Sequence, residues 1–83
     1  MPRFFLHLYN SIGYVPDDEG QDLSDLDDAR GTAVESIRDM VAADVKTGMI
    51  HLNGRIEIRD EVGAVLDTVR YTDAVAVHTG DAT

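Results

Sequence analysis

The stretch SDLDDARGTAVESIRDMVAADVKTG, residues 24–48, sets the architecture of this chain. Within it Leu26, Ala29, Ala33, Ile37, Met40, Val41 and Val45 recur at intervals of three and four, the spacing that lines one face of an α-helix. Both ends carry stop signals. Ser24 is placed to cap the free backbone N–H groups, with Asp27 reaching back from the third helical position, and Asp25, Asp27 and Asp28 complement the positive end of the helix dipole. Lys46 falls in the last turn, and Gly48 suits the left-handed residue that ends a helix. A helix of about 24 residues rising 1.5 Å per residue is roughly 36 Å long, which makes it the longest element.

Outward from the helix, both flanks change to a period of two. Phe4, Leu6 and Leu8 fall on one side of the first segment and Phe5, His7 and Tyr9 on the other, which predicts a strand. Asn10-Ser11-Ile12-Gly13 supplies a hairpin turn into a short strand over residues 14–16, which Pro16 confines to a sheet edge. Downstream, Ile56 and Ile58 alternate with Arg55, Glu57 and Arg59; Asp60-Glu61-Val62-Gly63 repeats the turn chemistry, and a fourth strand is expected over residues 64–71. With Asp60 paired to Ala64, Ile58 would face Leu66 and Ile56 would face Thr68. Glu57 would then face Asp67, with Arg55 and Arg59 on the diagonals to offset the like charges. Residues 8–17 align without a gap on residues 58–67, agreeing at glycine, valine and aspartate. Two bulged turns with the same demands, or an ancestral repeat, account equally for that match, and either requires a positive φ at Gly13 and Gly63.

The expected fold class is therefore α+β: a hairpin-helix-hairpin (ββαββ) with a four-stranded, mainly antiparallel sheet in the order 2-1-3-4 and one long helix on one face. Residues 1–74 form the single domain and residues 75–83 a loosely ordered C-terminal tail. Phe4, Leu6, Leu8, Ile56, Ile58 and Leu66 would pack on the helix stripe. That leaves Phe5, His7 and Tyr9 as an aromatic row on the open face of the sheet, a candidate interaction face.

Composition narrows the function. The chain has 83 residues, no cysteine and a net charge of −9. One domain is the ceiling at this length. Without cysteine there is no thiolate catalysis, zinc finger or Fe–S cluster, and a reducing cytoplasm is the expected location. No stretch approaches the roughly 18 apolar residues of a membrane span, and the first residues lack the succession of a signal peptide. Acidic residues concentrate in a candidate patch of Asp17, Asp18, Glu19, Asp22 and Asp25, continued by Asp27 and Asp28 with no base among them. Such a run repels phosphate backbones, so nucleic acid is not expected as a direct partner, and it attracts cations or basic proteins. It fails as a calcium loop, because Gly20 stands at the fourth place rather than the sixth and Asp28 occupies the twelfth. His7, His51 and His78 lie on separate segments, no nucleophile elbow surrounds Ser11, Ser24 or Ser36, and the glycines occur singly. No catalytic, cofactor-binding or metal-ligating residue is nominated, and no enzyme activity or cofactor is expected.

Met1-Pro2-Arg3-Phe4-Phe5, His7, Gly13, Asp18-Glu19-Gly20 ahead of Leu23, the alanine-bearing helix and Ile56-Glu57-Ile58-Arg59-Asp60-Glu61-Val62-Gly63 stand in an order that resembles a family of short proteins. That family is abundant in alphaproteobacteria and described as a domain of unknown function. The resemblance runs to about Ala74, with Leu6 where relatives commonly carry an aromatic, and it implies no activity, cofactor or catalytic residue. The expected function is a non-catalytic protein-interaction module or homodimer. The alternative is a regulatory protein that binds a small ligand or divalent cation through residues 17–28.

Overall fold

A computed structural model describes residues 2–78. The elements in chain order are β1 (Arg3–Tyr9), β2 (Tyr14–Val15), β3 (Gln21–Asp22), α1 (Leu26–Thr47), β4 (Arg55–Arg59), β5 (Val65–Arg70) and α2 (Tyr71–Ala74). The fold is α+β, with an antiparallel sheet in the order β2-β1-β4-β5. The two long hairpin strands β1 and β4 are central neighbours, as the direction of the chain through the helix requires. β3 is an addition to the expected four strands, pairing Gln21 and Asp22 with Phe4 and Arg3 at the opposite end of β1 from β2.

The core lies between one face of the sheet and one stripe of α1. Ala29, Ala33, Ile37 and Val41 supply the helix side; Phe4, Ile56, Ile58, Val69, Tyr71 and Ala74 supply the other. Leu6, Leu8, Leu26 and Met40 pack half-buried around it. Val45 belongs to the same periodicity but is 56% exposed, because the end of α1 carries it past the cluster.

The start of α1 is shifted by one residue from expectation. Asp25, not Ser24, is the N-cap: its carboxylate accepts a hydrogen bond from the Asp28 N–H at 2.8 Å. Asp28, not Asp27, reaches back, accepting from the Ser24 N–H at 3.2 Å and from its hydroxyl at 3.1 Å. Aspartate caps as well as serine, so Ser24-Asp25 offers two adjacent starts and the longer reciprocal set prevails. The other end is as read, with Lys46 in the last turn and Gly48 in the left-handed conformation.

The second hairpin departs from the expected register. The Asp60 N–H does donate to the Ala64 carbonyl, at 3.0 Å, and Arg59 pairs with Val65, but a bulge follows and Ile58 pairs with Asp67. Leu66 is the extra residue and is 42% exposed, while Val69 takes the core position opposite Ile56 and is fully buried. The bulge exchanges Leu66 for Val69 in the core and turns Asp67 toward α1, where its carboxylate meets the Arg30 guanidinium at 2.7 Å. Glu57 therefore faces Thr68 rather than Asp67, and the like-charge pair does not exist.

The two turns do not share the geometry their aligned sequences suggest: backbone hydrogen bonds join Asn10 and Gly13 around two residues, whereas the Asp60 N–H reaches the Ala64 carbonyl around three. Asn10 Oδ1 accepts from the Ile12 and Gly13 N–H groups, and Asp60 Oδ1 accepts from those of Val62 and Ala64. Gly13 and Gly63 have φ of 148° and 91°. The strand expected to reach residue 71 ends at Arg70; Tyr71 and Ala74 then fold into a helical turn and enter the core. Of the tail read over residues 75–83, Val75 packs against the core cluster and residues 79–83 lie outside the described residues.

Candidate interaction face

Because Phe4, Ile56, Ile58 and Val69 point into the core, their alternate neighbours rise from the other side of the sheet. The registers arrange these in rows across the strands. Tyr14, Tyr9, Arg55 and Arg70 form one row; His7, Glu57 and Thr68 the next; Phe5, Arg59 and Val65 the third. The aromatic residues read from the sequence, Phe5, His7 and Tyr9, are thus together on this face. The arginines and Tyr14 join them only because β1 lies beside β4 and a four-residue turn brings Tyr14 opposite Tyr9.

The first row is stacked. The Tyr9 and Tyr14 ring centroids are 4.6 Å apart with 23° between planes, and the Arg55 guanidinium carbon sits 4.1 Å from the Tyr9 centroid. Tyr9 thereby has Tyr14 on one neighbouring strand and a cation on the other, a contact that contributes about 0.5–1 kcal/mol at an exposed site. The Tyr14 ring also stacks on His7, and its hydroxyl lies 2.9 Å from His7 Nδ1. Loss of solvent among these rings, with Tyr9 adding to it, raises the Tyr14 pKa above the ordinary phenol value.

Glu57 is the hub of the second row. Arg59 donates to its Oε1 and Arg55 to its Oε2 at 3.3 Å, so each carboxylate oxygen has its own guanidinium. The side chain is only 14% exposed. Its pKa is lowered, first by the Arg59 hydrogen bond and also by Arg55, against the opposing effect of desolvation. Arg59 further reaches the Tyr9 hydroxyl at 3.3 Å. Arg55 and Arg59 share this one carboxylate, and Arg70 on the same face forms no ion pair among the described residues. This face is cationic on a chain whose net charge is −9.

The acidic residues do not converge. Asp17 folds back on the sheet, one oxygen accepting from the Leu6 N–H at 3.1 Å and the other from the Gly20 N–H at 3.0 Å. Asp22 pairs with Arg3 at 3.3 Å, Asp25 caps α1, and Asp18 and Glu19 are exposed. Among the described residues no group of three or more His, Asp or Glu is placed to hold a metal ion.

Asp17 instead fills the gap in the sheet edge between β2 and β3. At the far edge the Asp67 carboxylate accepts from the N–H of Thr68 at 2.8 Å. Each edge thus has a backbone donor covered by a side-chain carboxylate, which blunts pairing with another strand. The open face is left as the uncovered surface. Among the described residues no helix is long and apolar enough to cross a membrane.

No curated protein and no solved structure matches this chain. A family model does match, over residues 3–72, a span that runs from β1 into α2 and takes in every row of the open face. By that match the chain belongs to the family described as Domain of unknown function (DUF6894).

Proposed function

We propose that this chain is a small, non-catalytic, cytoplasmic protein-interaction module that uses its open sheet face, and that its partner presents carboxylates. The observation that carries this reading is the clamped set Tyr14-Tyr9-Arg55 with Arg59 and Glu57. Tyr9 is flanked by Tyr14 and by Arg55, so its ring faces are turned to neighbouring strands. What remains for a partner is ring edges, hydroxyls and guanidinium N–H groups. Guanidiniums pair well with carboxylates, and two arginines already held by Glu57 lose little side-chain entropy on binding. Arg70, exposed at the end of the same row, extends the cationic strip.

A second copy of the chain is one source of such carboxylates. A short poly-glutamate peptide titrated into isotope-labelled protein tests the reading directly. Amide shifts are expected at Tyr9, Arg55, Glu57 and Arg59, weakening as salt is raised and lost in the Arg55→Ala/Arg59→Ala double variant. Shifts spread over the molecule, or none, would remove the face as a carboxylate-binding surface.

A further inference from the structure

Tyr71 begins α2 and is 4% exposed, yet among the described residues its hydroxyl donates only to the Met40 sulfur, at 3.6 Å, with the Asn10 side chain beside it. A thioether is a weak acceptor. The ring is held against backbone: a Cβ added at Gly54 would come within 2.8 Å of it and within 2.7 Å of the Tyr9 carbonyl oxygen. The hydroxyl is therefore fixed in place with no strong acceptor for its proton. It borders a cleft of about 370 Å³ between the β1–β2 turn, the second half of α1 and the segment ahead of β4.

The lining of that cleft selects a ligand class. Asp44 and His51 contribute a carboxylate and an imidazole, Ile12 and Met40 contribute apolar surface, and no lysine or arginine is present. Asn10 has its carbonyl oxygen occupied by the Ile12 and Gly13 N–H groups, leaving its amide as a donor. Burial raises the Tyr71 pKa, with the Asn10 side chain opposing and Asp44 adding to the rise, so the phenol is protonated at neutral pH. An anionic ligand would meet Asp44 with no countercharge. A wholly apolar one would strip water from the carboxylate uncompensated. A metal ion would find two side chains where most sites need more.

We infer that this cleft binds a small primary ammonium compound with a short apolar body. Asp44 and the Tyr71 oxygen receive the ammonium group, and Met40 and Ile12 cover the body. The net charge of −9 raises the local concentration of such cations. The cleft is separate from the open face, so this inference stands or falls independently of the proposed function.

Benzylamine is a suitable probe, with benzyl alcohol and benzoate as its neutral and anionic counterparts. Titration followed by amide NMR should give saturable shifts at Ile12, Asp44 and His51 at roughly millimolar benzylamine, as expected for a ligand of this size. Benzyl alcohol and benzoate should bind at least about tenfold more weakly, and Asp44→Asn should reduce benzylamine affinity by a similar factor. Tyr71→Phe, which keeps the ring over Gly54, should also weaken binding while leaving the spectrum folded. Equal binding of benzyl alcohol, an unchanged affinity in Asp44→Asn, or no saturable shift would overturn the assignment. So would zinc ion producing the same shifts more tightly than benzylamine.

Discussion

Asp25 and Asp28 hold the first turn of α1 by accepting from backbone on both sides of the cap. Asp25→Ala should therefore cost about 1 kcal/mol in chemical denaturation, and Ser24→Ala, which removes only the hydroxyl bonded to Asp28, should cost clearly less. Equal costs would return the cap to Ser24. At the same scale, Glu57 and Asp67 both have pKa values lowered in the fold, Glu57 first by its hydrogen bond from Arg59 and Asp67 first by that from Arg30. A carboxylate with a depressed folded pKa stabilises the native state fully above its unfolded value, about 4.3 for Glu and 3.9 for Asp, and loses that contribution as pH falls through the folded value. Urea midpoints should thus decline below about pH 4. In Glu57→Gln that decline should be shallower, since one of the two groups no longer titrates.

At the scale of elements, the β4–β5 hairpin turns on a single bulge. With the bulge, Val69 is buried and Leu66 is exposed; without it, their places would be exchanged. Val69→Ala should cost on the order of 2 kcal/mol and Leu66→Ala a few tenths, because only the first leaves a cavity. The reverse order would restore the unbulged register. Both patterns are available in Val65-Leu66-Asp67-Thr68-Val69, since each register places one large apolar residue, Leu66 or Val69, on the core side. The choice falls to partners outside the hairpin: Arg30 on α1 takes Asp67, and the core cluster takes Val69.

For the whole molecule, the distribution of charge governs association. The open face carries three arginines against Glu57, while the acidic residues concentrate in the segment 17–28 and along α1. A two-fold contact through the open face brings like charges together, both in the arginine rows and in the net charge of −9 on each copy. Face-to-face dimers in sedimentation at micromolar concentration should consequently strengthen with salt and weaken in Phe5→Ser and Tyr9→Ser. An acidic partner on the same face should respond to salt in the opposite sense. A monomer at both low and high salt would exclude the dimer and leave the acidic partner.

The alternations of Phe4 to Tyr9 and of Arg55 to Arg59, the three-and-four spacing from Leu26 to Val41 and the asparagine, aspartate and glycine of the turns are local signals. They determined the α+β class, the helix and the hairpins, because hydrophobic period and backbone propensity act within a few residues. The row of Phe5, His7 and Tyr9 was legible for the same reason. Tertiary structure decided what depends on neighbours distant in sequence. β1 lying beside β4 set Arg55 over the Tyr9 ring and brought Arg59 to its hydroxyl; the bulge at Leu66 answered Arg30 on the helix; and Asp17 was drawn from the acidic run to cover the Leu6 amide. A backbone N–H at a sheet edge or a carboxylate between strands takes whichever partner the folded chain brings within hydrogen-bond reach, and local periodicity carries no record of that partner.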